Sequence, residues 1–284
     1  MNTKFIAEVC SNHNRSLNRC LKFIKTAKEI GCYGVKFQLF KTEKLFANEI
    51  LKKSPIHRKR KKWELPENFI KNISAECKKR KIKFGCTPFY LESLPLLKKY
   101  VDFIKISSYE ILWRDLLIEC AKLRKPIIFS TGMANMKEIR NAKKILKYNG
   151  AKDITVLHCV SEYPANIDKI NLNYFSYLKK NISTKVGWSD HTRDKLLLNY
   201  LISKFNLNAV EFHLDLDKKG FEYEAGHCWL PEEIKDVIKF YSKVKKKNSK
   251  KSLKKISLIE KKERFWRADP IDGLRPMKII RNKF

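Results

Sequence analysis

Read along the chain, the groups able to do polar chemistry fall where short apolar runs end. Glu8 ends the first run and leads into Ser11-Asn12-His13-Asn14, and Lys36 and Gln38 stand among apolar neighbours in the second. Thr87 closes a third, while Lys105 and Ser108 lie in a fourth that is followed by Glu110. Ser130 ends the fifth, the sixth gives His158-Cys159-Val160-Ser161-Glu162-Tyr163, the seventh Ser189-Asp190-His191-Thr192, and the eighth carries Glu211 and His213. Charged groups are costly to bury. Several of them converging on one rim call for an anionic, hydrated or metal-bound ligand. Lysines, hydroxyls and an amide suit the oxygens of phosphate and carboxylate, to which they donate charge-assisted hydrogen bonds. His191 and His213 could share a divalent ion and leave coordination positions open for water and substrate. Taken alone, two histidines are more often core residues than ligands.

The elements that must position these groups follow from hydrophobic period. Strand-like runs cover 5–10, 34–40, 83–88, 103–108, 126–132, 154–160, 185–190 and 209–214. Amphipathic helical stretches separate them; over 17–30, Leu17, Leu21, Ile24, Ala27 and Lys28 share one side before Gly31 stops the helix. Strands alternating with helices imply a parallel sheet. Eight such units in 284 residues favour an α/β fold of the closed (β/α)8 TIM-barrel type, with the site at the strands' C-terminal ends. No G-x-G-x-x-G follows the first run, which argues against a dinucleotide fold.

Composition narrows the setting. No signal peptide or membrane span is legible near Met1, and eight scattered cysteines form no C-x-x-C pair, so a cytoplasmic enzyme with reduced thiols is expected. The net charge of +32 suggests nucleic acid or an anionic surface. The lysines do not form one stripe, however; they recur on outward helix faces such as Lys78-Lys79, Lys98-Lys99, Lys143-Lys144 and Lys179-Lys180, so neither nucleic acid nor membrane is expected as a partner. Two stretches break the rhythm. The basic connection at 48–64 is either a substrate lid or a solvated loop, and 243–262 reads as a charged helical extension or linker. The expected division is a barrel over 1–247 and a basic linker and ordered tail over 248–284.

Seven stretches in order carry a family resemblance: Ile6-Ala7-Glu8 with Asn12-His13-Asn14, Val35-Lys36-Phe37-Gln38, Thr87-Pro88-Phe89, Phe103-Ile104-Lys105-Ile106-Ser107-Ser108, Ser130-Thr131-Gly132-Met133, Leu157 through Pro164, and Val186 through Thr192. Over about residues 4–235 the chain resembles the sialic acid synthase (N-acetylneuraminate synthase) family. The resemblance implies a condensation of phosphoenolpyruvate with an N-acylated hexosamine aldehyde such as N-acetylmannosamine, giving a nonulosonate and phosphate. His191 and His213 would hold a divalent ion, Mn²⁺ or else Mg²⁺ or Co²⁺. Lys36, Thr87, Lys105, Ser108, Ser130 and Ser189 would hold phosphoenolpyruvate, with Gln38 beside them. Glu8 and Tyr163 would line the sugar site, and Glu110 would lie near the ion and move a proton. C3 of phosphoenolpyruvate would attack an aldehyde carbonyl polarised by the ion, water would add to C2, and phosphate would leave by C–O cleavage.

Two departures fall on the sugar side. Members typically continue into an antifreeze-like domain that gives an arginine to the partner subunit's sugar site, and the residues up to Phe284 are too few to build it. Arg267 or Arg275 of the tail is the expected substitute, and a homodimer is expected. Where many members read Gly-Pro-Asp after the eighth strand, this chain reads Gly220 through Pro231, and counting from His213 puts Glu224 in the sugar-binding position. The alternatives are another phosphoenolpyruvate-dependent aldol synthase, of the deoxy-octulosonate phosphate or deoxy-heptulosonate phosphate type, a basic nucleic-acid-binding protein, and an idle barrel. The last two leave the polar strand ends unexplained.

Overall fold

Every strand alternates a residue packed under the surrounding helices with one pointing into the barrel, and that period of two sorts core from site. The structure, a computed structural model, describes residues 3–241 and 256–283. Its strands are Lys4–Glu8 (β1), Gly34–Leu39 (β2), Lys83–Pro88 (β3), Phe103–Ile106 (β4), Ile127–Ser130 (β5), Ile154–His158 (β6), Lys185–Asp190 (β7) and Ala209–His213 (β8). Each pairs in parallel with the next, and β8 closes on β1, so the sheet is a closed barrel ringed by helices: a TIM barrel. All eight expected runs form strands whose ends shift by no more than two residues.

Outward residues such as Phe5, Val35, Phe37, Phe84, Ile104, Phe129, Val156 and Phe212 join the large core under the helices. Inward ones form a second cluster of Ile6, Phe103, Ile128, Leu157 and Ala209 that plugs the barrel. Full burial is worth about 1.5–3 kcal/mol for a side chain of this kind. The plug needs glycine beside it. A Cβ on Gly85 would lie 2.1 Å from Cζ of Phe103, and one on Gly187 2.1 Å from the Ala209 carbonyl oxygen. Two residues further along each strand, on the same inward parity, come Glu8, Lys36, Thr87, Lys105, Ser130, Cys159, Ser189 and Glu211, all buried. The polar layer therefore rests on an apolar floor.

The helix Leu17–Glu29 begins at Ser16, whose side chain caps the N–H of Arg19, and Gly31 follows it at φ +93°. Its buried face is Cys20, Phe23, Ile24 and Ala27, with Lys28 exposed, so the face read from sequence was rotated. Phe23 and Cys20 carry the packing that Leu17 and Lys28 had been given. Lys78, Lys79, Lys98, Lys99, Lys144 and Lys180 are exposed, as solvated faces require.

Beyond β2 the connection forms Asn48–Lys53, Pro55–Arg58 and a 3₁₀ turn over Lys59–Trp63. Residues 256–283 lie across the loops after β2, β4, β5 and β6. Arg275 exchanges backbone hydrogen bonds with Leu45 and Ala47, the Ala268 N–H reaches the Tyr109 carbonyl at 2.9 Å, and buried Glu260 accepts from the Met133 N–H at 3.0 Å. The expected division at 247–248 lies outside the described residues. Among those residues no helix is long and apolar enough to cross a membrane.

Candidate active site

The inward polar layer opens into a cavity of about 500 Å³, a size suited to a small ligand. Its floor is an ionic network. Lys105 Nζ lies 3.2 Å from one oxygen of Glu211, Lys36 Nζ 4.0 Å from the other, and Lys36 is also paired with Glu8. Strand register explains the meeting, since Glu8 sits opposite both Lys36 and His213, and Ser189 opposite Glu211. Burial lowers the Lys36 ammonium to about 8 despite the attraction of Glu211. Burial would raise Glu211, but Lys105 and Lys36 outweigh it and pull the carboxyl down to about 2. Ser189 Oγ donates to Glu211 at 3.2 Å, and Lys36 Nζ donates to Thr87 Oγ1 at 3.1 Å. Ser108 Oγ accepts from the Gly132 N–H at 3.0 Å, and buried Ser130 Oγ has no hydrogen-bond partner among the described residues. Lys36 and Lys105 are already matched by Glu8 and Glu211. An anionic ligand here would need further positive charge.

One side of the cavity is a histidine corner. His191 donates Nδ1–H to the Val160 carbonyl at 2.6 Å, which leaves Nε2 as a bare acceptor. His191 and His213 have ring centroids 5.4 Å apart, and Tyr163 packs on His191 at 4.3 Å. His213 Nδ1 lies 3.3 Å from His227 Nε2, and Glu222 Oε2 lies 3.6 Å from the first and 3.8 Å from the second. The other oxygen of Glu222 accepts from the thiol of Cys10 at 2.8 Å and from Ser11 Oγ at 2.7 Å. Burial lowers His213 to about 4 and His191 well below the usual range, so both imidazoles are neutral near pH 7. Burial opposes ionisation of Glu222, but His213 and His227 hold its carboxyl well below the ordinary value. Neutral imidazoles beside a buried carboxylate fit a divalent ion. His213 groups with His227 and Cys228, and again with Cys10 and Glu222, in ligand-like clusters.

The mouth is built by the 48–64 connection and the tail. Trp266 stacks on His57 at 4.9 Å, Arg60 lies 5.5 Å from Phe46 and 5.3 Å from Trp63, and Tyr109 donates to Glu263 at 2.9 Å. Arg275 packs over Tyr109 at 4.4 Å.

The structure gathers Glu8, Lys36, Gln38, Lys105, Ser108, Ser130, Tyr163, Ser189, His191 and His213 around this cavity. Thr87 touches it only through Lys36. Glu110 does not line it; its carboxylate is taken by Arg275 and the Ser107 hydroxyl, and the carboxylate that lies beside the histidines is that of Glu222. Glu224 does not line it either. It is exposed on the turn Tyr223–Ala225, and Glu222, two residues earlier, points inward. Arg267 is held by Glu138 and the Arg264 carbonyl, which leaves Arg275 as the tail arginine at the cavity. Sequence reading missed Glu222, His227, Cys10 and Arg60. The adjacent His227-Cys228 pair was the one visible signal. Asp190 is a positioning residue, accepting from Trp229 Nε1 at 2.9 Å and from Thr192 Oγ1 at 2.7 Å. His158 points outward among Tyr174, Phe175 and Trp188, as its strand parity requires.

Comparison with known proteins gives a consistent set. The model of the NeuB family matches residues 23–252. The N,N'-diacetyllegionaminic acid synthase of Campylobacter jejuni is 37% identical over 282 residues, which cover 91% of this chain and 83% of that protein. Among solved structures, the spore coat polysaccharide biosynthesis protein SpsE of Bacillus subtilis superposes with a TM-score of 0.79 at 26% identity, covering 93% of this chain and 77% of that one. The N-acetylneuraminic acid synthetase of Leptospira borgpetersenii, solved with citrate, gives 0.74 at 26% identity, covering 86% and 84%.

Proposed function

The chain belongs to the NeuB family of phosphoenolpyruvate-dependent synthases, and from that premise we propose that it joins phosphoenolpyruvate to an N-acylated hexosamine aldehyde bearing two acetamido groups. The observation that carries the reading is one cavity whose floor is Glu8, Lys36, Lys105 and Glu211 and whose wall is a histidine corner. Lys36, Lys105, Ser108 and the unpartnered Ser130 hydroxyl are the donors for the phosphate and carboxylate of phosphoenolpyruvate, with Gln38 and Ser189 beside them. Their fixed placement favours the developing charge as C3 attacks the aldehyde carbon. The divalent ion, with His191 and His213 among its ligands, would supply a Lewis acid for the acceptor carbonyl. Glu8, held against Lys36, receives the proton of the water that adds to C2, a role sequence reading gave to Glu110. Phosphate then leaves C2 with its bridging oxygen.

The acceptor lies toward the mouth, between Tyr163, the His57–Trp266 pair and the guanidinium groups of Arg60 and Arg275. Two acetamido groups suit this mixture of aromatic faces and charged donors, and the product made by the relative at 37% identity is diacetylated. The tail thus acts as part of the acceptor site, next to a barrel that holds phosphoenolpyruvate. All eight cysteines are free, as in a reducing cytoplasm. Phosphate release over a panel of aldoses tests the reading. Diacetamido-hexoses should be used best and N-acetylmannosamine less well; release only with phosphorylated aldoses lacking an acyl group would overturn it.

A further inference from the structure

Three donor atoms in the histidine corner stand too far apart for good hydrogen bonds and at the right distance for a shared ion. His213 Nδ1, His227 Nε2 and Glu222 Oε2 form a triangle with edges of 3.3, 3.6 and 3.8 Å. Hydrogen bonds of these types lie near 2.7–3.2 Å. Donors about 2.0–2.2 Å from one ion stand roughly 2.8–3.6 Å apart, so the triangle has to draw in only slightly to hold one. Nothing else fixes the His227 ring by hydrogen bonding, since its Nδ1 is buried without a partner among the described residues. A sulfur stands beside two of the three donors. Cys10 Sγ lines the cavity and falls within ligand range of His213 and Glu222. Cys10 also takes a left-handed backbone conformation, φ 47°, which is uncommon for a residue with a Cβ. Cys228 is the rival thiol. Its sulfur accepts from Asn12 Nδ2 at 3.4 Å, its S–H lies 3.6 Å from the Glu222 carbonyl, and it does not line the cavity.

We infer that Glu222, His227 and the thiolate of Cys10 join His191 and His213 in binding the ion, so that this chain's site is softer than a pair of histidines and prefers Zn²⁺ or Co²⁺ to Mn²⁺. Thiolate ligands favour the later divalent metals, and oxygen-rich sites Mn²⁺. Coordination requires Cys10 to lose its proton, which passes to solvent as the ion enters. The inference rests on the metal-dependent reading above and adds its ligands.

The test is a titration of the chelator-stripped full chain with Co²⁺, read by absorbance and by metal content after desalting. One Co²⁺ per chain with a thiolate-to-cobalt charge-transfer band in the near ultraviolet is expected. The band should vanish in Cys10→Ser and Cys10→Gly, persist in Cys228→Ser, and affinity should fall by at least about 10-fold in His227→Gln and Glu222→Gln. Cys10→Gly relieves the left-handed backbone, so it keeps the test valid if Cys10→Ser folds poorly. In competition, wild type should retain Zn²⁺ or Co²⁺ over Mn²⁺, and Cys10→Gly should narrow that preference. Co²⁺ binding without the band, a band that follows Cys228, or unchanged affinity in His227→Gln would overturn the inference and leave the metal-dependent reading standing. A wild-type chain that binds no divalent ion would sink both.

Discussion

Replacing Glu211 by Gln tests the ionic floor with a sign that a packing effect would not give. Glu211 is 3% exposed, between Lys105 at 3.2 Å and Lys36 at 4.0 Å. Removing one partner of a buried ion pair costs about 3–5 kcal/mol, because the remaining charge keeps its desolvation penalty. At about 2.1 cal/mol/K per residue, a chain of 284 residues unfolds with an entropy near 0.6 kcal/mol/K. The substitution should therefore lower Tm by about 5–8 °C. The two ammonium groups are then matched only by Glu8, so an anion should bind the variant more tightly than wild type. Inorganic phosphate at roughly 100 times its Kd returns about 2.7 kcal/mol, or 4–5 °C. Thermal melts with and without phosphate, at fixed ionic strength, read both numbers. An unchanged Tm, or a phosphate shift no larger than in wild type, would refute the view of Glu211 as the counter-charge to two lysines.

Three further outcomes follow from the same geometry. His13 is buried, and burial lowers its imidazole to about 4 from 6.5. The unfolded chain therefore takes up the proton first, and the contribution present above pH 6.5 is lost below it, amounting to about 2 kcal/mol by pH 5; His13→Gln should remove about that much of the fall in urea-melt stability between pH 7 and pH 5, and the buried His191 and His213 keep the rest. In a Glu110→Gln background, which avoids leaving a buried carboxylate unpaired, Arg275→Met should raise the acceptor KM roughly 10- to 100-fold, the equivalent of a charge-assisted hydrogen bond, and truncation before Arg264 should do at least as much. Both should spare the phosphoenolpyruvate KM; steady-state kinetics in each substrate decide. Gly187→Ala should separate β7 from β8, since its Cβ would meet the Ala209 carbonyl at 2.1 Å, and loss of Co²⁺ affinity along with Tm would report the shift of His191 and His213.

The barrel and its polar layer were legible because both depend on local period. Eight apolar runs separated by helical stretches imply the closed sheet, and counting by two from Ile6 to Glu8, or from Ala209 to Glu211 and His213, separates plug from site. The same count places His158 outward. Loops carry no such period. Between Asp215 and Leu230 the chain turns at Gly220 and Gly226, so counting from His213 reached Glu224 when Glu222 faces the cavity. Glu110 pairs with a residue 165 positions away, Arg275, a contact that tertiary packing alone creates. The role of the 48–64 connection was open for a related reason: His57, Arg60 and Trp63 line the cavity, yet among their neighbours Lys52, Lys53, Lys59, Lys61 and Lys62 face solvent. Composition describes such a segment only as basic.

Bond cleavage offers the most direct measurement. Phosphoenolpyruvate labelled with ¹⁸O in its C2–O–P bridge, incubated with a diacetamido-hexose, the chain and a divalent ion, should give nonulosonate and labelled phosphate in equal amounts. Label retained in the sugar product, or phosphoenolpyruvate left unconsumed with every N-acylated hexose, would contradict the proposed condensation.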